Sequence, residues 1–339
     1  MIRIGVIGTG RLGGFHAEKA AADPCCSLVG VFDPAAANRE RVAQKLGVTA
    51  FDDLEALLEG IDAAIVAAPT FSHGEIGRKV LEEKKHLLIE KPLCCGATDA
   101  TALVDLADRN RLVLACGHVE QFNPAWRAAR GELQKAIKSG PVLIDAVRTS
   151  GYTFRCADVG AILDLMIHDL ELVISLFSAR ELLSAPMIAW GTSEFGGHED
   201  TASAQFLLTD GSVIRLFASR VELQAQRHLT LRSRTGRFTV DFKAPSFRVT
   251  TPDSAVVNGL YSPEKCDYAP LVPRAADFMK ENYRTVEMPF PPQDALSSEL
   301  DDFLRSIQDG NQPVVPGRRA AEAVQLAERI IAGIKVSRS

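Results

Sequence analysis

No two cysteines in this 339-residue chain are spaced CxxC, and none falls into a Cys/His pattern that would hold zinc. A metal site is therefore not expected. The seven cysteines form two adjacent pairs, Cys25-Cys26 and Cys94-Cys95, and three singles, Cys116, Cys156 and Cys266. An odd count of this kind fits reduced thiols in the cytoplasm better than a disulfide framework. No long basic block disturbs the balance of 38 Lys and Arg against 43 Asp and Glu, which disfavours a nucleic-acid partner. No apolar run reaches the length of a membrane span, because Asp164, His168, Asp169 and Glu171 interrupt the longest one. A basic-apolar-small leader is missing too, since strand-like sequence starts at Ile2. Internal repeats and low-complexity tracts are absent. What is present is an ordinary globular balance, 24% charged and 46% hydrophobic, in a chain long enough for two domains with cores of their own.

The first third alternates strands with helices, which predicts a parallel, doubly wound sheet. Ile2–Ile7 reads as a strand, followed by a glycine turn and a helix over 15–22. The turn is Gly8, Thr9, Gly10, Arg11, Leu12 and Gly13. Its first glycine permits the sharp turn, the second lets a pyrophosphate approach the backbone, and the third lets helix pack on strand. The helix N-terminus offers amides to the phosphates. A second strand, 27–32, ends in Asp33, where an acid suits the adenosine ribose hydroxyls. Asp33 would repel a 2′-phosphate, so NAD is favoured over NADP; Arg39 and Arg41, farther along the next helix, are what would favour NADP. Helices are expected over 36–45, 52–59, 72–83 (capped by Ser72) and 98–110, and buried strands over 62–68, 86–89 and 111–116. Ligands bind outside the carboxyl ends of such strands. Three ends matter on that ground: Ala68-Pro69-Thr70 with His73, Glu90-Lys91-Pro92, and Gly117-His118. A lysine at the second faces a crevice, where its ammonium can polarise a substrate oxygen or help move its proton.

The longest apolar run, 160–177, has helical spacing and carries Asp164 and His168 one turn apart. Residues at i and i+4 share a face, so carboxylate and imidazole are placed to meet. Ionisable groups on so apolar a helix cost free energy unless they are paired or used. A proton-transfer site and a polar pair satisfied inside a core both fit this pattern. Asp169 points about 100° away from His168 and is expected to fix the helix.

Beyond a strand over 141–150 and this helix, strands are expected over 185–190, 201–209, 213–219, 228–234 and 237–242, with hairpin turns at Asp210-Gly211 and Thr235-Gly236. They suggest an antiparallel or mixed sheet. The segment 247–262 reads as irregular and 270–292 as a Pro-rich surface wrap. Helices over 294–309 and 318–335 close the chain. Arg148, Tyr152 and Arg227 suit a diphosphate or sugar as well as they suit salt bridges, and His198 and His228 read as structural.

The chain resembles the glucose-fructose oxidoreductase / inositol dehydrogenase family (Gfo/Idh/MocA). The resemblance rests on the glycine turn, Asp33, Ala68-Pro69-Thr70 with His73, Glu90-Lys91-Pro92, and Asp164-Leu-Met-Ile-His168-Asp169. It implies an N-terminal Rossmann domain over 1–120 and a C-terminal α/β domain over 121–339, whose open, mostly antiparallel sheet binds substrate and joins a homodimer or homotetramer. It also implies a cofactor site at the glycine turn, Asp33, Ala68, Pro69, Thr70, His73, Glu90 and Lys91. Lys91, Asp164 and His168 would be the catalytic set, with Lys91, Asn123, Tyr152 and His168 against the substrate. The stretches 117–124 and 163–169 are similar to a subgroup that oxidises UDP-N-acetylglucosamine at its 3-hydroxyl, although an Arg often stands there where this chain has Gln121. The implied activity is NAD-dependent oxidation of a secondary hydroxyl on a sugar, in particular a sugar nucleotide. The alternatives are an inositol or simple-sugar dehydrogenase, and a non-catalytic NAD-binding regulator.

Overall fold

The computed structural model describes residues 1–154 and 158–334; Cys156 and the last residue of the expected helix 318–335 lie outside the described residues. Six parallel strands form the first sheet: β1 (Ile2–Ile7), β2 (Cys26–Phe32), β3 (Thr49–Phe51), β4 (Ala63–Val66), β5 (His86–Glu90) and β6 (Leu114–Gly117). Their order is β3-β2-β1-β4-β5-β6, the doubly wound Rossmann arrangement. The order reverses between β1 and β4, and the chain leaves neighbouring strands there in opposite directions. That divergence opens the crevice above the strand ends. All four residues of β4 are buried, because helices cover both faces of the sheet.

Eight strands form the second sheet: β7 (Leu143–Thr149), β8 (Met187–Thr192), β9 (Thr201–Leu207), β10 (Val213–Ser219), β11 (Arg227–Ser233), β12 (Gly236–Asp241), β13 (Ser246–Pro252) and β14 (Tyr283–Glu287). The order is β14-β13-β12-β11-β7-β10-β9-β8, and only β7 and β10 run parallel. Period-two alternation puts Ile144, Ala146, Ala204, Phe206, Ile214 and Leu216 on one buried face, packed in one core with the helices Pro124–Lys138 and Ile167–Leu176. The other face is open and carries Ile188, Trp190 and Leu207. Both predicted hairpin turns are present, with Gly211 and Gly236 at positive φ. Two segments differ from expectation: 247–262 begins as strand β13, and the Pro-rich stretch holds the helix Ala275–Asn282 and edge strand β14.

The chain then returns to the first sheet. Helix Ala295–Asp309 places Leu300, Phe303 and Leu304 in one core with Ile4, Val6 and Leu88. Helix Gly317–Gly333 is apolar on two sides. Ala320, Ala321 and Val324 join the core beside β4 and β5, whereas Ala323, Leu326, Ala327 and Ile330 join the core of the second sheet. One helix therefore holds the two sheets together and fixes the cleft between them. No helix among the described residues is long and apolar enough to cross a membrane.

Candidate active site

The glycine turn is shaped by close approach. Gly8 has φ +86°, and a Cβ on it would lie 2.7 Å from the Ala67 carbonyl oxygen. A Cβ on Gly13 would lie 1.8 Å from the Gly8 carbonyl oxygen, so helix and strand meet there backbone to backbone. Around Gly10 the opposite holds: a Cβ would meet nothing within 4 Å, leaving the turn open on the side where a pyrophosphate would approach. Helix Arg11–Ala22 starts at Gly10 with no side-chain cap, so its first amides face that opening. Asp33 Oδ2 accepts from the Thr9 backbone N–H (2.7 Å) and hydroxyl (3.2 Å), and Oδ1 accepts from the Ala35 N–H (2.9 Å). A carboxylate accepts about four such bonds, which leaves room for a ribose hydroxyl. These residues fit a dinucleotide. Arg39 and Arg41 stand nearer than their sequence distance suggested. Arg39 donates to the Asp33 carbonyl (3.1 Å) and Arg41 to the Thr9 carbonyl (2.9 Å).

At the end of β4, Ser72 does not cap the following helix; its hydroxyl donates to the Pro69 carbonyl instead (2.7 Å). His73 is buried, with its ring nitrogens 2.8 Å from the Pro92 carbonyl oxygen and 2.9 Å from that of Ala68. It thereby ties the β4 end to the turn after β5. Glu90 is buried below Lys91: Oε2 accepts from the Lys91 backbone N–H (3.1 Å), and Oε1 lies 2.7 Å from His16 Nε2. Glu299, from the returning helix, completes this cluster, its ligand atoms within 4.8 Å of those of His16 and Glu90. Both of its oxygens are buried without a partner among the described residues, and burial beside Glu90 pushes its pKa well above the carboxylate range. The cluster lies beneath the strand end, where Glu90 links His16 to the Lys91 backbone.

The apolar helix starts as a π-helical turn, Ile162–Met166, and continues as an α-helix, Ile167–Leu176. The wider turn shifts Asp164 relative to His168 and changes the expected pairing. Asp164 meets Lys91: Nζ donates to the Asp164 carbonyl (2.7 Å) and to Oδ1 (3.2 Å), both side chains being partly buried. Among the described residues no hydrogen bond joins Asp164 to His168, and His168 Nδ1 is buried and unpaired. Burial first, then the nearby Lys91 and Arg148 charges, holds the His168 pKa well below 6.5 and the ring neutral. His118, at the end of β6, lies edge-on to it with centroids 6.1 Å apart. Burial, reinforced by Lys91, lowers the His118 pKa to about 3. Both depressed histidines bind a proton more readily when unfolded. Their contribution to stability is complete above the unfolded pKa of 6.5 and is lost as pH falls, for His118 over the window down to about 3. The expected slope is about 1.4 kcal/mol per pH unit for each group. Thermal denaturation between pH 7.5 and 5 should show a falling Tm, less steep in His118→Phe; equal slopes would refute the linkage.

Asp169 does fix the helix. It pairs with Arg148 of β7, which reaches Glu120 as well (2.8 Å). Glu171, one turn past His168, accepts from Gln121 (2.8 Å) and from Arg319 (2.6 Å). Asn123 is buried as the cap of helix Pro124–Lys138, its amide 3.1 Å from Glu120. Tyr152 lies on the other side of β7's end, stacked on Phe195 (4.1 Å) with the Arg220 guanidinium 5.3 Å above its ring. The fold thus pairs Lys91 with Asp164 and brings His168 within reach of the Lys91 charge, while Asn123 is buried and bonded to Glu120 and to the Ala125 N–H. Sequence reasoning marked the strand end at His118 but gave the residue no role, and Glu299 carried no signal at all.

An open dinucleotide turn and a lysine-aspartate-histidine cleft at the ends of a parallel sheet define an NAD-binding oxidoreductase of two-sheet architecture. The family model for the oxidoreductase family with an NAD-binding Rossmann fold, Gfo/Idh/MocA, matches residues 2–118, and this chain belongs to that family. It is 33% identical over 326 residues to a UDP-N-acetylglucosamine 3-dehydrogenase of Acidithiobacillus ferrooxidans, covering 95% of each chain. A solved structure of the enzyme of that name from the same organism superposes with a TM-score of 0.82 at 29% identity, covering 98% of this chain and 97% of the other. A myo-inositol 2-dehydrogenase of Thermotoga maritima is 25% identical over 96% of this chain and 94% of its own.

Proposed function

We propose that the chain oxidises the 3-hydroxyl of UDP-N-acetylglucosamine, with Lys91, Asp164 and His168 as its proton-handling residues. The observation that carries this reading is the Lys91–Asp164 pair held beside a neutral His168 at the end of β5. The full-length likeness to the Acidithiobacillus enzyme supports the choice of substrate. Bound along the glycine turn, NAD supplies the hydride acceptor. Lys91 donates a hydrogen bond to the reacting oxygen and stabilises the developing alkoxide. Asp164 holds that ammonium in place. His168, uncharged at neutral pH, accepts the hydroxyl proton. Asp33 and the turn from Gly8 to Gly13 seat the dinucleotide, with Ala68, Pro69, Thr70, His73 and Glu90 shaping the strand ends around it. Tyr152 lines the substrate side. The experiment is a panel of UDP-sugars, free sugars and inositols read by NADH absorbance. Turnover of UDP-N-acetylglucosamine is expected to exceed the others; preference for an inositol would replace the substrate, and no turnover of any compound would favour a binding protein.

Free thiols at Cys25, Cys26, Cys94, Cys95, Cys116 and Cys266 suit a reducing compartment, and the cytoplasm is the proposed location. The open sheet face supports a homo-oligomer: Ile188 and Trp190 are 74% and 53% exposed, with exposed Leu207 two positions along the neighbouring strand from Gln205, the partner of Ile188. Contiguous apolar surface of this kind marks an interface. Trp190→Glu with Ile188→Glu should lower the mass seen by light scattering to that of one chain; an unchanged mass places the interface elsewhere.

A further inference from the structure

A proton-accepting histidine needs its other ring nitrogen fixed, because the hydrogen bond made there decides which nitrogen carries the proton. Asp164 would be the expected partner of His168, but its carboxylate is bonded to Lys91. A second imidazole, that of His118, lies edge-on to His168. His118 is 1% exposed, and neither of its nitrogens has a hydrogen-bond partner among the described residues; Nδ1 of His168 is in the same condition. Three unpaired nitrogens on two rings in edge contact stand out, since roughly nine in ten buried polar groups are bonded. At a centroid separation of 6.1 Å the rings are too far apart for a direct bond, so any hydrogen-bonded link between them needs one intervening molecule. Buried waters bridge groups of this kind.

Resting on the reading of His168 as the base, we propose that His118 is a positioning residue that sets the tautomer of His168 through a single buried water. The Nδ1–H of His168 donates to the water, and the water donates to the unprotonated nitrogen of His118. His168 Nε2 is then left bare to take the substrate proton. No proton leaves the pair; the bridge only chooses which nitrogen is basic. The charged groups around His118 are Lys91, Arg319 and Arg148. Burial first, and then these three cations, keep His118 neutral and able to accept. It follows β6, one strand over from the end of β5 that carries Lys91.

The test uses the full chain with NAD. In wild-type protein carrying 15N-histidine, NMR should show His168 with the proton on Nδ1; a proton on Nε2 overturns the proposal without any variant. His118→Phe keeps an edge-on ring but cannot accept. It should move the His168 proton to Nε2 and lower kcat about 10–100-fold, the scale of lost outer-shell partners. KM and the Kd for NAD should stay within about threefold, a split that misfolding would not give. His118→Gln, which can accept, should recover most of kcat. Wild-type kcat in His118→Phe, with the tautomer unchanged, overturns the role. The reading of the site would survive that result provided His168→Ala and Lys91→Ala remain inactive. If those two variants turn over normally, the site itself is wrong and this proposal falls with it.

Discussion

Lys91→Ala should lower turnover of UDP-N-acetylglucosamine about 10²–10⁴-fold, the range of a positioned proton-transfer group, while NAD still binds. The size follows from what is lost. On the proposed reading the ammonium faces the oxygen that gains charge, and its partly buried setting makes a preorganised donor worth more than in water. Three contacts fix it: the Asp164 carbonyl, the Asp164 carboxylate, and, through the backbone, Glu90. Alanine removes the donor and frees Asp164 as an unpaired carboxylate in the cleft, near the path of the developing negative charge. Lys91→Arg keeps the charge but spreads it over a longer, planar head in place of a compact ammonium, and should fall between alanine and wild type. His168→Ala should match the alanine loss, because it removes the proton acceptor from the same step. Stopped-flow hydride transfer, with NAD affinity from fluorescence titration, separates chemistry from binding. Wild-type rates in both variants would remove Lys91 and His168 from the mechanism. The depressed His168 pKa adds a sign: the acid limb of kcat/KM should lie below pH 6.5, since the base stays deprotonated there.

Much of this site is legible in the sequence because its parts are local. Gly8, Gly10 and Gly13 work within one turn, Asp33 ends the very next strand, and Lys91 follows β5 directly. Strand ends in a parallel sheet share one edge, so three short motifs converge without knowledge of tertiary packing. What escaped has a physical reason in each case. The apolar spacing of 160–177 fixes a helix but not its hydrogen-bond register, so the π turn at Ile162–Met166 and the switch of Asp164 from His168 to Lys91 are invisible. β14 lies at the sheet edge with four of its five residues exposed, so no apolar alternation marks it. Glu299 meets His16 and Glu90 only because the chain returns to the first sheet after leaving it for some 170 residues. Pairings of that sequence separation are products of packing, not of local pattern.

Arg148 shows what such a pairing contributes, and its removal should be the most damaging single change to stability. The guanidinium is 2% exposed and bidentate to Asp169, with Nη2 2.9 Å from Oδ1 and Nε 3.1 Å from Oδ2; Nη1 reaches Glu120 at 2.8 Å. Phe242 lies under it at 5.6 Å. Burial alone pushes the Asp169 pKa up, and the arginine charge opposes that shift. Arg148→Met would fill part of the volume but leave two acids in a dry site with no cation bonded to them. Breaking a buried pair from one side costs about 3–5 kcal/mol. Asp169 sits next to His168, so the loss loosens the helix that carries this proposed base, and turnover should fall along with the denaturation midpoint. The double variant Arg148→Met with Asp169→Leu tests the cause. Removing the stranded acid as well should recover part of the loss, because apolar side chains often replace a buried ion pair at little cost. The recovery will be incomplete, since Glu120 loses its Arg148 contact and, among the described residues, keeps only the Asn123 amide. A single-variant loss under about 1 kcal/mol in urea denaturation would mean that the charges are hydrated, not buried, and a double variant no better than the single would mean that packing, not charge, sets the cost.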